Sequence, residues 1–166
     1  MAKFTWKSAP VPEGTEIRQV YGILFSKDGR ILLKVEDKKG KKVYSMAGGH
    51  PEAYDADMAA TLVREVDEEI NSAVSKPIYI GYQEVDEEND APLYAQVRMT
   101  ALLSSVGESR PDPDNGETYK RLLAPPERAK TLLGWGRIAE QQIDAAKQIA
   151  EREYGLKFEN TKEEYV

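Results

Sequence analysis

The chain has 166 residues, 40% of them hydrophobic and 31% charged, which is the size and composition of one soluble globular domain. With no cysteine and a single histidine it excludes disulfides, thiolate nucleophiles and any multi-histidine metal site within one chain, so metal chemistry would rest on oxygen ligands. A formal net charge of −6 disfavours a nucleic acid polymer or an anionic membrane as partner, and a polyanionic small molecule would need a cation to escort it.

Residues 1–16 read as an N-terminal extension to a single domain spanning 1–166. Met1 to Lys7 lacks the apolar run of a signal peptide, and no stretch approaches the roughly 20 apolar residues of a membrane span, so the expected location is cytoplasmic. Arg18 to Ser26 is rich in β-branched and aromatic residues, and a turn at Lys27-Asp28-Gly29-Arg30 leads into Ile31 to Val35, predicting a β-hairpin. A second turn over Asp37 to Lys42 opens a strand at Val43 to Met46 that ends on the flexible pair Gly48-Gly49.

From about Asp57 to Ile70 the residues Ala59, Leu62, Val63, Val66 and Ile70 recur at helical spacing, with Asp55 or Asp57 as the N-cap. Pro77 to Val85 and Leu93 to Leu103 have strand composition and flank an acidic turn, which predicts a second hairpin. Arg110 to Gly116 is a loop, broken by two prolines and a glycine, and Thr118 to Leu123 returns as a short strand. Helices are expected over Glu127 to Leu133 and Ile138 to Tyr154, the second stopped by Gly155, and residues 156–166 form an acidic, loosely held tail. Strands interrupted by one central helix and followed by C-terminal helices predict an α/β layer fold with a mixed sheet.

The chemistry concentrates in Gly48-Gly49-His50-Pro51-Glu52 and in the helix carrying Arg64-Glu65-Val66-Asp67-Glu68-Glu69. Helical periodicity points Glu65, Glu68 and Glu69 one way, while Leu62, Val66 and Ile70 form an apolar stripe turned elsewhere. Most charge runs are merely solvated faces. Here the glycines after a strand bring backbone close to the helix entrance, and three carboxylates in a cleft would ask for a hard cation such as Mg²⁺ or Mn²⁺, which shares its shell with substrate phosphates.

This stretch resembles the signature of the Nudix hydrolases, G-x5-E-x7-R-E-U-x-E-E-x-G-U, with U a bulky aliphatic residue. Gly49 matches the first glycine, Glu52 falls where the common G-G-x-x-E opening places an acid, and Arg64, Glu65, Val66, Glu68 and Glu69 match R-E-U-x-E-E. Asp55 stands at the first glutamate but one residue too far from Arg64, and Asp57 is one too close. Asn71 replaces the glycine after the helix and Ser72 the final aliphatic residue. The likeness covers roughly Arg18 to Leu103.

The resemblance implies an α/β/α sandwich on a mixed sheet and a Mg²⁺-dependent hydrolase, with Mn²⁺ as the alternative ion, cutting a diphosphate linkage in a nucleoside diphosphate joined to another group. It implies Glu65, Glu68 and Glu69 as metal ligands, the Gly49 carbonyl completing the shell, and Arg64 holding the carboxylates. It places the general base outside the signature, with Glu84, Glu87, Glu88 and Glu117 as candidates. Arg18, His50, Glu52 and Arg98 are candidates for substrate contact, and Lys38, Lys39, Lys41 and Lys42 read as a solubilising hairpin tip. Two other readings are a non-catalytic nucleotide-binding or sensor module and an interaction protein with an acidic helix. Homodimerisation through the N-terminal segment or the C-terminal helix is left open.

Overall fold

In a computed structural model describing residues 1–166, nine strands and three helices alternate along the chain. The strands are β1 (Lys3–Lys7), β2 (Glu16–Phe25), β3 (Ile31–Lys38), β4 (Lys41–Ser45), β5 (Ala47–Gly49), β6 (Ser72–Asp86), β7 (Tyr94–Val106), β8 (Lys120–Ala124) and β9 (Glu164–Tyr165). Helix α1 spans Met58–Ile70, α2 Pro126–Leu133 and α3 Arg137–Tyr154. All strands join one sheet in the order β1-β6-β7-β2-β3-β8-β9, with β4 beside β3 and β5 beside β2. No helix is long and apolar enough to cross a membrane.

Period-2 alternation along β2 divides the core in two. Val20 and Leu24 turn to one face, where Leu62, Val66 and Ile70 of α1 cover them. Ile23 and Phe25 turn to the other, under Ala139, Ile143, Ala146 and Ala150 of α3 and Ala129 and Leu133 of α2. The result is the expected α/β/α sandwich with a mixed sheet. Gly22 faces α1, and a Cβ there would lie 2.7 Å from a Leu62 methyl carbon, so the missing side chain sets how closely the helix sits.

Four features depart from the sequence reading. The hairpin over Arg18 to Val35 pairs only at Leu24 with Leu32 and Phe25 with Ile31, because most of β2 pairs in parallel with β7 and, on its other side, antiparallel with β5. The N-terminal extension is partly sheet: β1 lies antiparallel to β6, Lys3 opposite Asp86 and Lys7 opposite Tyr82. Strand β6 begins at Ser72 rather than Pro77, since a register shift between Ser75 and Ile78, with Lys76 at φ 51°, lets a proline without an amide donor sit in a strand.

The fourth is the tail, which is not loosely held. Strand β9 pairs with β8, and the Lys157 carbonyl lies over Gly29 where a side chain would collide. Arg30 donates to the Lys162 carbonyl at 3.3 Å and to Glu164 at 3.0 Å, while Arg121 Nε donates to the Val166 carbonyl at 3.1 Å. Both arginines are themselves buried, so the clasp is polar and leaves no hydrophobic pattern in the sequence.

Candidate active site

Strand β5 brings Gly48 and Gly49 against the flank of α1. A Cβ on Gly49 would lie 2.5 Å from the Glu65 carboxyl carbon, so only glycine admits that carboxylate, and the Gly48 N–H donates to Glu69 Oε1 at 2.7 Å. The helix begins where Asp57 accepts from the Ala60 N–H at 2.8 Å, and it ends where Asn71, at φ 45°, takes the left-handed cap that the replaced glycine would have held.

The two aspartates before the helix therefore divide the work. Asp57 caps, while Asp55 accepts Arg64 Nε at 3.0 Å and Nη2 at 2.9 Å in a two-pronged pair. The extra residue in the signature is absorbed in a turn closed by the Asp55 N–H on the Glu52 carbonyl and the Glu52 N–H on Asp55. A loop longer by one residue thus carries an acid shorter by one methylene to the same arginine.

Arg64 spends all five of its N–H donors: two on Asp55, one each on Glu65 (2.9 Å), Glu68 (3.2 Å) and the His50 carbonyl (2.9 Å). Hydrogen bonds to Arg64 hold the Asp55 carboxyl well below the usual carboxylate range. Burial instead pushes Glu65 up to about 7, Arg64 opposing and Glu69 and Glu68 adding to the rise.

Glu65 and Glu68 converge with a third carboxylate, from the loop over Arg110 to Gly116. Oxygens of Glu65, Glu68 and Asp114 lie within 4.8 Å of one another. Asp114 is exposed and is aimed by its own loop: its N–H donates to Asp112 Oδ1 at 2.9 Å, and buried Asp112 is fixed by backbone bonds to Glu117 and Gly116. The density of aspartate among prolines in Arg110 to Gly116 was the only sequence signal. Glu69 shares their helix but turns to Lys34, whose Nζ is 2.6 Å away. Burial works against the Lys34 charge, but Glu69 outweighs it and holds the lysine above its ordinary value. Lys34 also lines a cavity of about 550 Å³ reaching Tyr21, Arg98 and Trp135, which places that cavity beside the carboxylates.

The other candidates scatter. His50 and Glu52 are exposed and contribute backbone to the turn. Arg18 bonds Glu16 and lies over the Tyr94 ring at 3.9 Å, away from the carboxylate group. Glu84 faces Thr5 across the β1–β6 pair, Glu87 accepts from the Tyr94 hydroxyl, Glu88 lies near Lys3, and Glu117 is exposed beside Asn115. None of these four joins Glu65 and Glu68. Arg98 is buried in the cavity wall.

The donor set of Glu65, Glu68 and Asp114 fits a hard divalent ion: three carboxylates within mutual reach, with Arg64, their nearest cation, fully spent. Mg²⁺ should raise the melting temperature, and it must compete with the proton on Glu65. Because that carboxyl titrates near 7, apparent affinity should be about tenfold weaker at pH 6 than at pH 8, read from thermal shift against Mg²⁺ concentration. A shift independent of pH over that interval would detach Glu65 from the ion.

A family model for the NUDIX domain matches residues 15–146. Among solved structures, the chain is similar to a pyrophosphohydrolase of Bacillus subtilis at 17% identity, TM-score 0.67, covering 87% of this chain and 90% of that one. It is similar to the ORF135 protein of E. coli at 19% identity, TM-score 0.56, covering 88% and 97%. It is also similar to the NUDIX domain of NrtR from Shewanella oneidensis, solved with ADP ribose, at 15% identity, TM-score 0.58, covering 81% and 88%. At these identities the likeness is one of fold. A search by sequence among curated proteins finds no match.

Proposed function

The chain belongs to the NUDIX family, and on that premise we propose that it is a cytoplasmic, Mg²⁺-dependent pyrophosphohydrolase that cleaves the diphosphate linkage of a nucleoside diphosphate joined to another group. The observation that carries the reading is the meeting of Glu65, Glu68 and Asp114 beside a cavity that Lys34 connects to the same helix. Mn²⁺ suits the same oxygen donors.

Glu65, Glu68 and Asp114 would hold the ion, with Glu69 and the Gly49 carbonyl as the further candidates named from the sequence. A bound Mg²⁺ or Mn²⁺ would neutralise phosphate charge and make water easier to deprotonate for attack on phosphorus. Arg64 keeps Glu65 and Glu68 in place against their mutual repulsion. Lys34 is anchored by Glu69 at the mouth of the cavity, where its ammonium meets the phosphate that follows the nucleoside. Asp114, the one member of the set on an exposed loop, would also orient the attacking water with the oxygen it does not give to the ion, in place of the four glutamates named from sequence.

Asp114→Asn should lower kcat by about 10²-fold with little change in melting temperature. Glu117→Gln, in the same loop, should stay within about threefold of the parent. If both variants kept full turnover, the loop would have no part in the reaction. The general test is a screen of diphosphate compounds, ADP-ribose, nucleoside triphosphates, nucleotide sugars and dinucleoside polyphosphates among them, with and without Mg²⁺ or Mn²⁺. Calorimetric binding without any product would replace the hydrolase with a sensor module.

A further inference from the structure

The cavity beside Lys34 has one wall whose hydrogen-bond polarity is fixed. Arg98 is only 2% exposed and no carboxylate reaches it. Its Nε donates to Gln142 Oε1 at 2.8 Å, its Nη1 reaches only the Gln96 carbonyl at 3.5 Å, and its Nη2 has no partner in the protein. The rings of Tyr21 and Trp135 flank the guanidinium at 5.0 and 5.7 Å. A buried cation without a counter-ion is costly, and burial pushes Arg98 down to about 10. Its place in the wall of an open cavity gives that cost a purpose.

The polarity propagates from Arg98, because a guanidinium only donates. Gln142 must therefore show it Oε1, which leaves Gln142 Nε2 to donate to Gln83 Oε1 at 3.0 Å. Gln83 Nε2 then donates to Gln96 Oε1 at 2.7 Å, so the relay ends in Gln96 Nε2, another donor. No amide in this series can flip without turning an NH₂ group on the arginine or on a neighbouring NH₂. Arg98, Gln96 and Lys34 thus present N–H groups to a space of about 550 Å³, while Phe4, Tyr21 and Trp135 supply flat apolar surface. Both the volume and the aromatic lining suit a nucleoside.

We propose that this wall selects an oxopurine, guanine or hypoxanthine, by donation from the free edge of Arg98 to O6 and N7, and rejects adenine, whose N6 amino group would set donor against donor. The arginine fork matches those two acceptors, and a mismatched amino group would leave buried donors unpaired. The inference rests on the preceding reading for where the phosphates lie, but base recognition itself needs neither metal nor hydrolysis.

The test is calorimetric titration of the full chain in EDTA with GMP, IMP, AMP and inorganic phosphate. GMP and IMP should bind alike and at least about tenfold tighter than AMP, and phosphate should not displace GMP at equal concentration. Gln142→Glu hands Arg98 an internal carboxylate and should collapse the GMP-to-AMP ratio towards one. Arg98→Lys, which keeps the charge and loses the fork, should do the same. Equal binding of AMP, competition by phosphate as strong as by GMP, absence of binding by all three nucleotides, or a ratio unmoved in Gln142→Glu would each overturn the proposal. Selective GMP binding with no diphosphate cleaved would remove the hydrolase and keep this site. Cleavage with no preference for the base would do the reverse.

Discussion

Glu65→Gln should lower kcat/KM by about 10³-fold and, in the absence of metal, raise the melting temperature at pH 8 by several degrees. The two effects share one cause. Glu65 is buried against Gly49 beside Glu68, and burial raises its carboxyl from 4.5 to about 7. The unfolded chain releases that proton at the ordinary value and the folded chain keeps it longer. Between about pH 4.5 and 7 the folded form therefore binds more protons, and stability falls as pH rises through that window.

Above pH 7 the charged carboxylate costs at most about 3 kcal/mol, which for a domain of this size corresponds to several degrees. Glutamine removes the charge and retains an oxygen for Arg64 Nη1. On the proposed reading it also removes a charged ligand of the ion, which accounts for the expected loss of activity. Thermal unfolding in EDTA from pH 4 to 9, beside turnover with Mg²⁺, reads both. The two proteins should converge near pH 4, and a variant less stable than the parent at pH 8 would refute the stated origin of the shift.

Arg64→Met should cost about 10- to 100-fold in activity and several degrees of melting temperature at neutral pH. Its removal leaves Asp55, Glu65 and Glu68 facing one another and frees the His50 carbonyl. Asp55 sets the pH dependence. Its carboxyl lies below the ordinary range because of Arg64, so its contribution is present above the ordinary carboxylate value and lost as pH falls towards the depressed one. The defect should therefore shrink in acid. Arg64→Lys should recover part of the stability but little activity, because an ammonium cannot serve five acceptors in one plane. A methionine variant with unchanged turnover would make the arginine a bystander.

Helix α1 is legible in the sequence because its information is local: Leu62, Val66 and Ile70 mark one face, Asp57 the start and Asn71 the stop. The glycines against Glu65 and the spacing from Arg64 to Glu69 were legible for the same reason. What could not be read depends on topology. Asp114 joins Glu65 only because β7 and β8 return its loop to α1, and Lys34 meets Glu69 from 35 residues away in the sequence. The choice between Asp55 and Asp57 turned on where the helix begins, which spacing alone leaves open by a residue. The order of the tail is not legible because its anchors, Arg30 and Arg121, resemble any surface arginine until the sheet buries them.

The parallel pairing of β2 with β7 and the union of β1 with β6 also govern how the molecule is made. A ribosome releases the first two strands long before Tyr94 and its neighbours exist, so the edge of β2 that pairs with β7 has no partner in the nascent chain, even after β3, β5 and α1 are made. Until β7 emerges, that open edge from Glu16 to Phe25 is free to pair with the wrong strand, a hazard that slow synthesis of the intervening residues would prolong.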